Sequence, residues 1–476
     1  MTPLSLFNSL TRSQEVFAPS DGKTARVYSC GPTVYNFAHL GNLRAYVFTD
    51  TLRRTLLVKG WEVRHVINIT DVGHLTSDAD AGEDKMELAA AGLGKDIWEV
   101  AAFYTAAFKA NLNDLNILDP SIWSVATDHI GEMIAFAAKI ADRHCYEIES
   151  GLYFDVTTVP DYGRLARSVS DEGESRIDPV SGKRNPQDFA IWRRSPSGER
   201  RQMEWDSPWG RGAPGWHLEC SVMSLKYLGP EPFDIHTGGI DHREIHHPNE
   251  IAQNQAYCDC TAKQPGFTGA RFWMHNNFLV DRTGKMSKSG GGFTTLQSLI
   301  DAGVPPLAYR LLCLTAHYRS ELEFSGEAVA AALTRLKRLV MAAEKLGAGE
   351  GVAAPAYLDR LDTALSDDLN TPQALVALDE MLADKRLAPA DRRATLARFD
   401  AALGLNLISL TRGELRVRPA AAILGEAEIE AKLDERKEAR ATKDFARSDA
   451  LRDELIAAGV EVMDGDPLRW EWKVAL

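Results

Sequence analysis

The chain reads as an α/β fold: a parallel-sheet domain split by an α/β insertion, followed by an α-helical bundle and a small C-terminal domain. Three observations predict this. Residues 25–70 run strand, glycine break, helix, strand, which is one βαβ unit. That alternation lapses between about 120 and 205 and returns over 205–290. Beyond residue 300 alanine, leucine and arginine dominate, with helical periodicity and few strand signals. At 476 residues the chain exceeds one ordinary core, and length alone suggests about three domains.

The elements follow in order. Arg26-Val27-Tyr28-Ser29 is a short strand, broken by Gly31-Pro32. A helix begins near Gly41, with Leu43, Val47, Leu52 and Leu56 near helical spacing, and Gly60 ends it. Val63 to Ile69 forms a second strand, apolar enough for the interior of a parallel sheet. Such a unit places its ligand beyond the carboxyl ends of the strands, at a helix N-terminus. The insertion holds amphipathic helices over 130–143, a strand at Leu152 to Val156, and a polar run with Pro and Gly over 173–200. The second half brings a strand at Phe233-Asp234-Ile235-His236, a helix from His246, and an apolar strand at Phe278-Leu279-Val280. Helices fill about 320–410, Pro419-Ala420-Ala421 sits in a linker, and a charged helical piece from 426 ends in Trp470 and Trp472. The expected divisions are 1–120 and 205–295 for the split sheet domain, 121–204 for the insertion, 296–345 for a connecting region, 346–415 for the bundle and 424–476 for the C-terminal domain.

Hydrophobic content of 45% and charged content of 25% fit a soluble globular protein. A net charge of -13 argues against a binder held to nucleic acid by bulk charge and leaves room for local basic patches. No N-terminal stretch has the charged start, apolar core and cleavage site of a signal peptide, and no apolar run reaches about 18 residues. A cytoplasmic protein without membrane attachment is expected. The cysteines at 30, 145, 220, 258, 260 and 313 are scattered, and read as thiols or metal ligands rather than a disulfide framework.

His39-Leu40-Gly41-Asn42 lies at the strand-to-helix junction. Gly41 lets a base approach the backbone closely. The helix N-terminus favours phosphate, and His39 and Asn42 can donate hydrogen bonds to charge developing there. Taken alone, the string is also an ordinary helix start with a polar cap. Lys285-Met286-Ser287-Lys288-Ser289 follows an apolar strand and precedes Gly290-Gly291-Gly292, so two lysines on a glycine-flanked loop can close over a triphosphate. Asp241, after Gly238-Gly239-Ile240, can accept from ribose hydroxyls or cap a helix.

His246 and Glu250 stand at i and i+4, so both can face one ion. Trp216-His217-Leu218-Glu219-Cys220 supplies one thiol and Cys30 another. Cys, His and Glu suit zinc, although buried free cysteines are common and inert.

Together, the stretch from Cys30 to Asn42 and Lys285 to Ser289 resemble the two nucleotide-binding signatures of class I aminoacyl-tRNA synthetases. Cys30, fused to the front of the first, narrows the resemblance to cysteinyl-tRNA synthetases. It extends along nearly the whole chain, through Thr127-Asp128-His129, Asn185-Pro186-Gln187-Asp188, Ser366-Asp367-Asp368-Leu369-Asn370-Thr371-Pro372 and Lys443-Asp444-Phe445-Ala446-Arg447. The resemblance implies a Rossmann-type catalytic domain, activation of L-cysteine by ATP with Mg2+, and transfer to the 3′-terminal adenosine of tRNA(Cys). It implies catalytic roles for His39, Asn42, Lys285 and Lys288, and ATP contacts from Gly41, Asp241, His39 and Lys288. It assigns Cys30, Cys220, His246 and Glu250 as ligands of one zinc ion per chain, and Thr70 and Trp216 to the cysteine pocket. Residues 296–345 are expected to form a stem-contact region, the bundle and C-terminal domain to meet tRNA, the latter on its anticodon side, and the enzyme to be a monomer. Cysteine and serine are near-isosteres that an apolar pocket separates only about 10²-fold; a zinc ion that prefers a soft thiolate removes the need for proofreading.

The chain departs from the family pattern in three places. Residues 73–82 interrupt Asn68-Ile69-Thr70-Asp71-Val72 before Glu83-Asp84-Lys85, Gly290-Gly291-Gly292 replace a more usual Leu-Gly-Asn, and Asp466-Pro467-Leu468-Arg469-Trp470 matches only partly. Two other functions fit parts of the pattern: a ligase passing activated cysteine to an amino sugar, and a non-catalytic RNA-binding paralogue. Residues 350–476 argue against the first, and His39, Lys285, Lys288 and the metal-ligand set against the second. Arg436, Lys437, Arg440, Lys443 and Arg447 crowd one helical stretch and read either as a phosphate-binding face or as a solvated surface paired with Glu438, Asp444 and Asp449. Trp470 and Trp472 beside them read as stacking surfaces or as core.

Overall fold

The computed structural model describes every residue except 74–84, 160, 167–179, 197, 199–200, 259–266, 282–283, 286–294 and 475. The loop after Val72, His74, Cys260, Lys288 with the rest of its loop, and the three glycines at 290–292 lie outside the described residues, as do the side chains of Lys85 and Lys285.

The central sheet is built from β1 (Thr24–Ser29), β2 (Glu62–Ile69), β3 (Ile122–Val125), β4 (Phe233–Gly239) and β5 (Ala270–Asn276). Their order is β5–β4–β1–β2–β3, with every neighbouring pair parallel. This is a doubly wound Rossmann-type sheet, and its strand order reverses between β1 and β4. Helix α1 (Leu40–Val58) crosses from β1 to β2, and its cap at Lys59 precedes Gly60, whose φ of +86° suits glycine. The edge strand β3 begins just past residue 120, so the first half of the sheet runs into the segment expected to open the insertion.

Within the insertion, a helix at Ile130–His144 packs on a four-stranded antiparallel sheet, Cys145–Ile148, Gly151–Phe154, Phe189–Arg194 and Gly212–Pro214. The chain returns through α2 (Trp216–Leu228), β4, α3 (His246–Cys258), β5 and β6 (Leu279–Asp281). Helix α4 (Pro306–Leu314) leads into helices at Gly326–Glu344, Pro355–Ser366, Thr371–Ala383 and Pro389–Leu403. One hydrophobic core joins α1, α4 and these helices through Leu43, Val47, Leu311, Leu336, Leu378 and Phe399.

The C-terminal piece is more than helical. Helices Glu426–Ala441 and Phe445–Ala457 pack on a hairpin, Val460–Val462 with Trp470–Trp472. Trp470 and Trp472 are 0% and 4% exposed and form its core with Ile429, Leu433 and Leu455, so they are not stacking surfaces. Cys30, Cys145, Cys220 and Cys313 are free.

Candidate functional site

A cavity of about 280 Å³ opens at the carboxyl ends of β1 and β4, where the strand order reverses. Cys30, His39, Gly41, Asn42, Thr70, Trp216, Cys220, Asp241 and His246 all line it. The sequence spreads these residues over nearly half the chain, and the parallel topology gathers them.

The first signature caps α1. The Asn42 N–H donates to His39 Nδ1 at 3.1 Å, and the His39 N–H donates to Asn42 Oδ1 at 3.2 Å, a reciprocal capping box. The cap and the chemical reading are therefore compatible. Because Nδ1 accepts, the neutral ring carries its proton on Nε2, the tautomer suited to donate. Gly41 fits closely: a Cβ would stand 3.0 Å from the His39 ring, which would have to give by a few tenths of an ångström, and Leu279 Cβ is 3.8 Å away. Gly31 is stricter still, since a Cβ would fall 1.5 Å from the Asn68 carbonyl oxygen. Lys285, the first residue of the second signature, pairs with Val280 of β6 in an antiparallel ladder, and Leu279 of β6 lines the cavity. Asp241 is exposed at the start of the short helix Ile240–Glu244.

At the cavity floor, Cys30, Cys220, His246 and Glu250 offer ligand atoms within 4.8 Å of one another, all buried. His246 Nε2 lies 3.4 Å from Cys220 Sγ and 3.1 Å from Glu250 Oε1. The i, i+4 spacing on α3 produces the second contact. A second donor set, Cys30, His236, His247 and Glu250, shares two of these residues. His236 Nε2 is 2.9 Å from Glu250 Oε2, and His247 Nε2 is 3.3 Å from Cys30 Sγ. Sequence reasoning did not select His236 or His247. His236 sits in β4 and His247 beside a ligand on α3, and only tertiary packing reveals their proximity.

The local charges favour a cation. Burial raises the Cys30 thiol. The hydrogen bond with Cys30 and the neighbouring His246 lower Cys220 to about 6, against burial. Burial opposes protonation of His246, yet Cys220 and Glu250 outweigh it and hold its pKa up to about 10. Burial likewise works against the Glu250 carboxylate, and His236 and His246 overcome it, bringing it down to about 2. Glu250 Oε1 is buried without a well-aligned hydrogen bond among the described residues. Two sulfurs, an imidazole and a carboxylate with such an oxygen fit the donor preferences of zinc.

Further histidines buttress the floor. His217 Nδ1 meets His246 Nδ1 at 2.8 Å, and His247 Nδ1 meets His275 Nε2 at 2.7 Å. Burial keeps His247 and His275 neutral by lowering both pKa values well below the usual range. Trp216 packs on His246 with ring centroids 4.3 Å apart, so its indole can shape the pocket wall. Thr70 is 2% exposed and its Oγ1 accepts from Asn68 Nδ2 at 3.1 Å, while Asn68 Oδ1 accepts from the Gly31 N–H at 2.7 Å.

The basic stretch near the C-terminus divides. Arg436 is buried and donates to both carboxylate oxygens of Asp464, at 2.5 and 2.8 Å. Arg440 also reaches Asp464, at 3.1 Å, and Arg447 reaches Glu435 at 2.6 Å. Lys437 and Lys443 are exposed.

The fold and the two signatures define a class I aminoacyl-tRNA synthetase. Residues 16–334 match the family described as tRNA synthetases class I (C) catalytic domain, and residues 425–472 match the cysteinyl-tRNA ligase anticodon binding domain. The chain belongs to the cysteinyl-tRNA ligase family. It is 63% identical over 482 residues to the cysteine–tRNA ligase of Novosphingobium aromaticivorans, covering 99% of this chain and 97% of that protein. To the cysteine–tRNA ligase of Zymomonas mobilis it is 57% identical over 510 residues, covering 99% and 98%. Two solved structures share the fold. The Agrobacterium radiobacter K84 LeuRS–tRNA–LeuAMS ternary complex has a TM-score of 0.57 at 12% identity, over 84% of this chain and 86% of that one. Mycobacterium tuberculosis methionyl-tRNA synthetase with methionyl-adenylate has a TM-score of 0.51 at 15% identity, over 83% and 91%.

Proposed function

We propose that the chain is a cysteine–tRNA ligase that activates L-cysteine with ATP to cysteinyl-adenylate, releases pyrophosphate, and transfers the cysteinyl group to the 3′-terminal adenosine of tRNA(Cys). The observation that carries this reading is the convergence, in one cavity, of a four-donor metal site with the His39–Asn42 helix cap. The cysteine carboxylate attacks the α-phosphate, so no protein nucleophile is needed. Catalysis is then positioning and charge stabilisation. His39 donates from Nε2 and Asn42 from its amide to the oxygens of the reacting phosphate, each such donor contributing roughly 3 kcal/mol. Gly41 leaves room for adenine, Asp241 accepts from the ribose, and Lys285 and Lys288 bear on the departing pyrophosphate. Thr70 and Trp216 orient the amino acid.

Cys30, Cys220, His246 and Glu250 would hold one zinc ion, which supplies selectivity by preferring the substrate thiolate to a hydroxyl. The overlapping set with His236 and His247 buttresses Glu250 and Cys30 in this reading. Mg2+ accompanies ATP. Among the described residues no helix is long and apolar enough to cross a membrane, in keeping with a cytoplasmic enzyme, and the proposal takes it as a monomer. The match of 425–472 to an anticodon binding domain favours tRNA over an amino sugar as the acceptor. The donor set and helix cap favour a catalyst over a non-catalytic RNA-binding paralogue. Cysteine-dependent ATP–pyrophosphate exchange followed by charging of tRNA tests the whole. Exchange without charging points to a different acceptor, and absence of both rejects the function.

A further inference from the structure

Arg44 sits one turn inside α1, two residues after Asn42, and is 2% exposed. It does not line the cavity. Its guanidinium reaches across to the segment that precedes β6. Nη1 donates to the Asn277 carbonyl at 2.9 Å and to the Phe278 carbonyl. Nη2 donates to the Ser320 carbonyl at 2.5 Å and lies 3.5 Å from the His317 carbonyl. No described carboxylate forms an ion pair with it, so a buried charge is held by backbone oxygens of two segments.

Those segments matter by position. Asn277, Phe278 and Leu279 line the cavity, and β6 leads directly to Lys285. The same stretch is held from its far side, where the Asn277 N–H donates to the Tyr318 carbonyl at 2.9 Å and the Leu322 N–H to the Phe278 carbonyl at 3.1 Å. On leaving the lysine loop the chain returns to α1, where Thr295 bridges to His39. The N-terminal turn of α1 is therefore tied to both ends of the segment that carries the lysines. Arg44 supplies the tie at the entry end, its fork joining α1 to Asn277 and Phe278 and to the 317–320 stretch, while the Thr295 bridge supplies the tie at the exit end. A lysine at this position would keep the charge but lose the planar fork that serves several carbonyls at once.

We propose that Arg44 is a positioning residue that holds the approach to the lysine loop in register with His39 and Asn42, so that the two sides of the triphosphate site meet the same substrate. The inference rests on the nucleotide-site reading given above. Geometry of this kind acts on the transition state, and a displacement of about 1 Å costs up to ~10²-fold in rate.

The test uses the full chain. Arg44→Lys is expected to slow cysteine-dependent pyrophosphate exchange by about 10- to 50-fold while cysteine affinity, measured by equilibrium binding, stays within about twofold. The decisive measurement is the double variant. If Arg44 acts through the lysine segment, adding Arg44→Lys to Lys288→Ala should slow exchange by less than about threefold further. Additive losses, unchanged exchange, or a parallel fall in cysteine affinity overturn the proposal. Arg44→Met gives the same comparison without charge, and failure of both single variants to fold would assign Arg44 to stability and overturn it too. Lys288→Ala alone separates the levels: if it leaves exchange intact the nucleotide-site reading fails, whereas slow exchange with additive Arg44 losses sinks only this inference.

Discussion

Arg310 Nη2 lies 2.5 Å from Asp50 Oδ2, and both side chains are fully buried. Asp50 also accepts from Arg54 Nε at 2.7 Å and from the Leu118 N–H at 2.9 Å. Arg310 spends its remaining donors on the carbonyls of Leu403 at 2.8 Å, Leu115 at 2.9 Å and Asn116 at 3.1 Å. One ion pair thus fastens the middle of α1 to α4 and to the end of the bundle helix Pro389–Leu403. Burial raises the Asp50 pKa and the two guanidinium groups outweigh it, so the carboxyl is held below its usual range. Asp50→Ala would strand two buried cations.

That substitution is expected to destabilise the protein by about 3–5 kcal/mol. Chemical denaturation read by fluorescence checks it. A loss below about 1 kcal/mol would mean water replaces the carboxylate.

The metal reading predicts close to one zinc per purified chain and a large loss in Cys220→Ala. Elemental analysis after exhaustive dialysis measures it. Unchanged zinc content in the variant would remove Cys220 from the ligand set. Retention in Cys220→Ala with loss in His247→Ala would favour the alternative donor set.

His65 gives a pH prediction. It is fully buried, with Nε2 against Ser29 Oγ at 2.9 Å, and burial lowers its pKa to about 3. The unfolded chain takes up this proton near pH 6.5, and the folded chain resists it until about pH 3. Its contribution is present above pH 6.5 and lost as pH falls, by about 2 kcal/mol at pH 5. His65→Leu should flatten the fall in stability between pH 6.5 and pH 5 by that amount. An unchanged slope would locate acid sensitivity in other groups.

Lys437 and Lys443 carry the remaining expectation for tRNA, because Arg436 is committed to Asp464. Lys437→Ala with Lys443→Ala should leave pyrophosphate exchange unchanged. It should raise the KM for tRNA several-fold and reduce its salt dependence by about 1–2 in log–log slope. An unaltered salt dependence would place the phosphate contacts elsewhere.

The sequence made local relationships legible. The His39–Asn42 cap, the His246 and Glu250 spacing and the βαβ unit all depend on neighbours a few residues apart. Family resemblance joined Cys30 and Cys220 to them. Partners fixed only by tertiary packing stayed hidden. Arg436 looked like a phosphate ligand until Asp464 appeared beside it. Trp470 and Trp472 lie in a hairpin whose partner strand has three residues, too short for a period-two signal. Arg44 and Arg310 resemble ordinary helix-surface arginines, because nothing local announces that their acceptors are distant carbonyls.

The origin of the four metal donors bears on how the enzyme is made. Cys30 leaves the ribosome with the first half of the sheet, while Cys220, His246 and Glu250 follow only after the insertion has been synthesised. A cation seated among them would staple two lobes that are translated apart, and its binding free energy would enter late, once β4 has docked against β1. Nascent chains arrested before residue 250 should therefore carry no tightly held zinc. Zinc starvation would then be felt first as slow maturation of new enzyme, before any loss from molecules already complete.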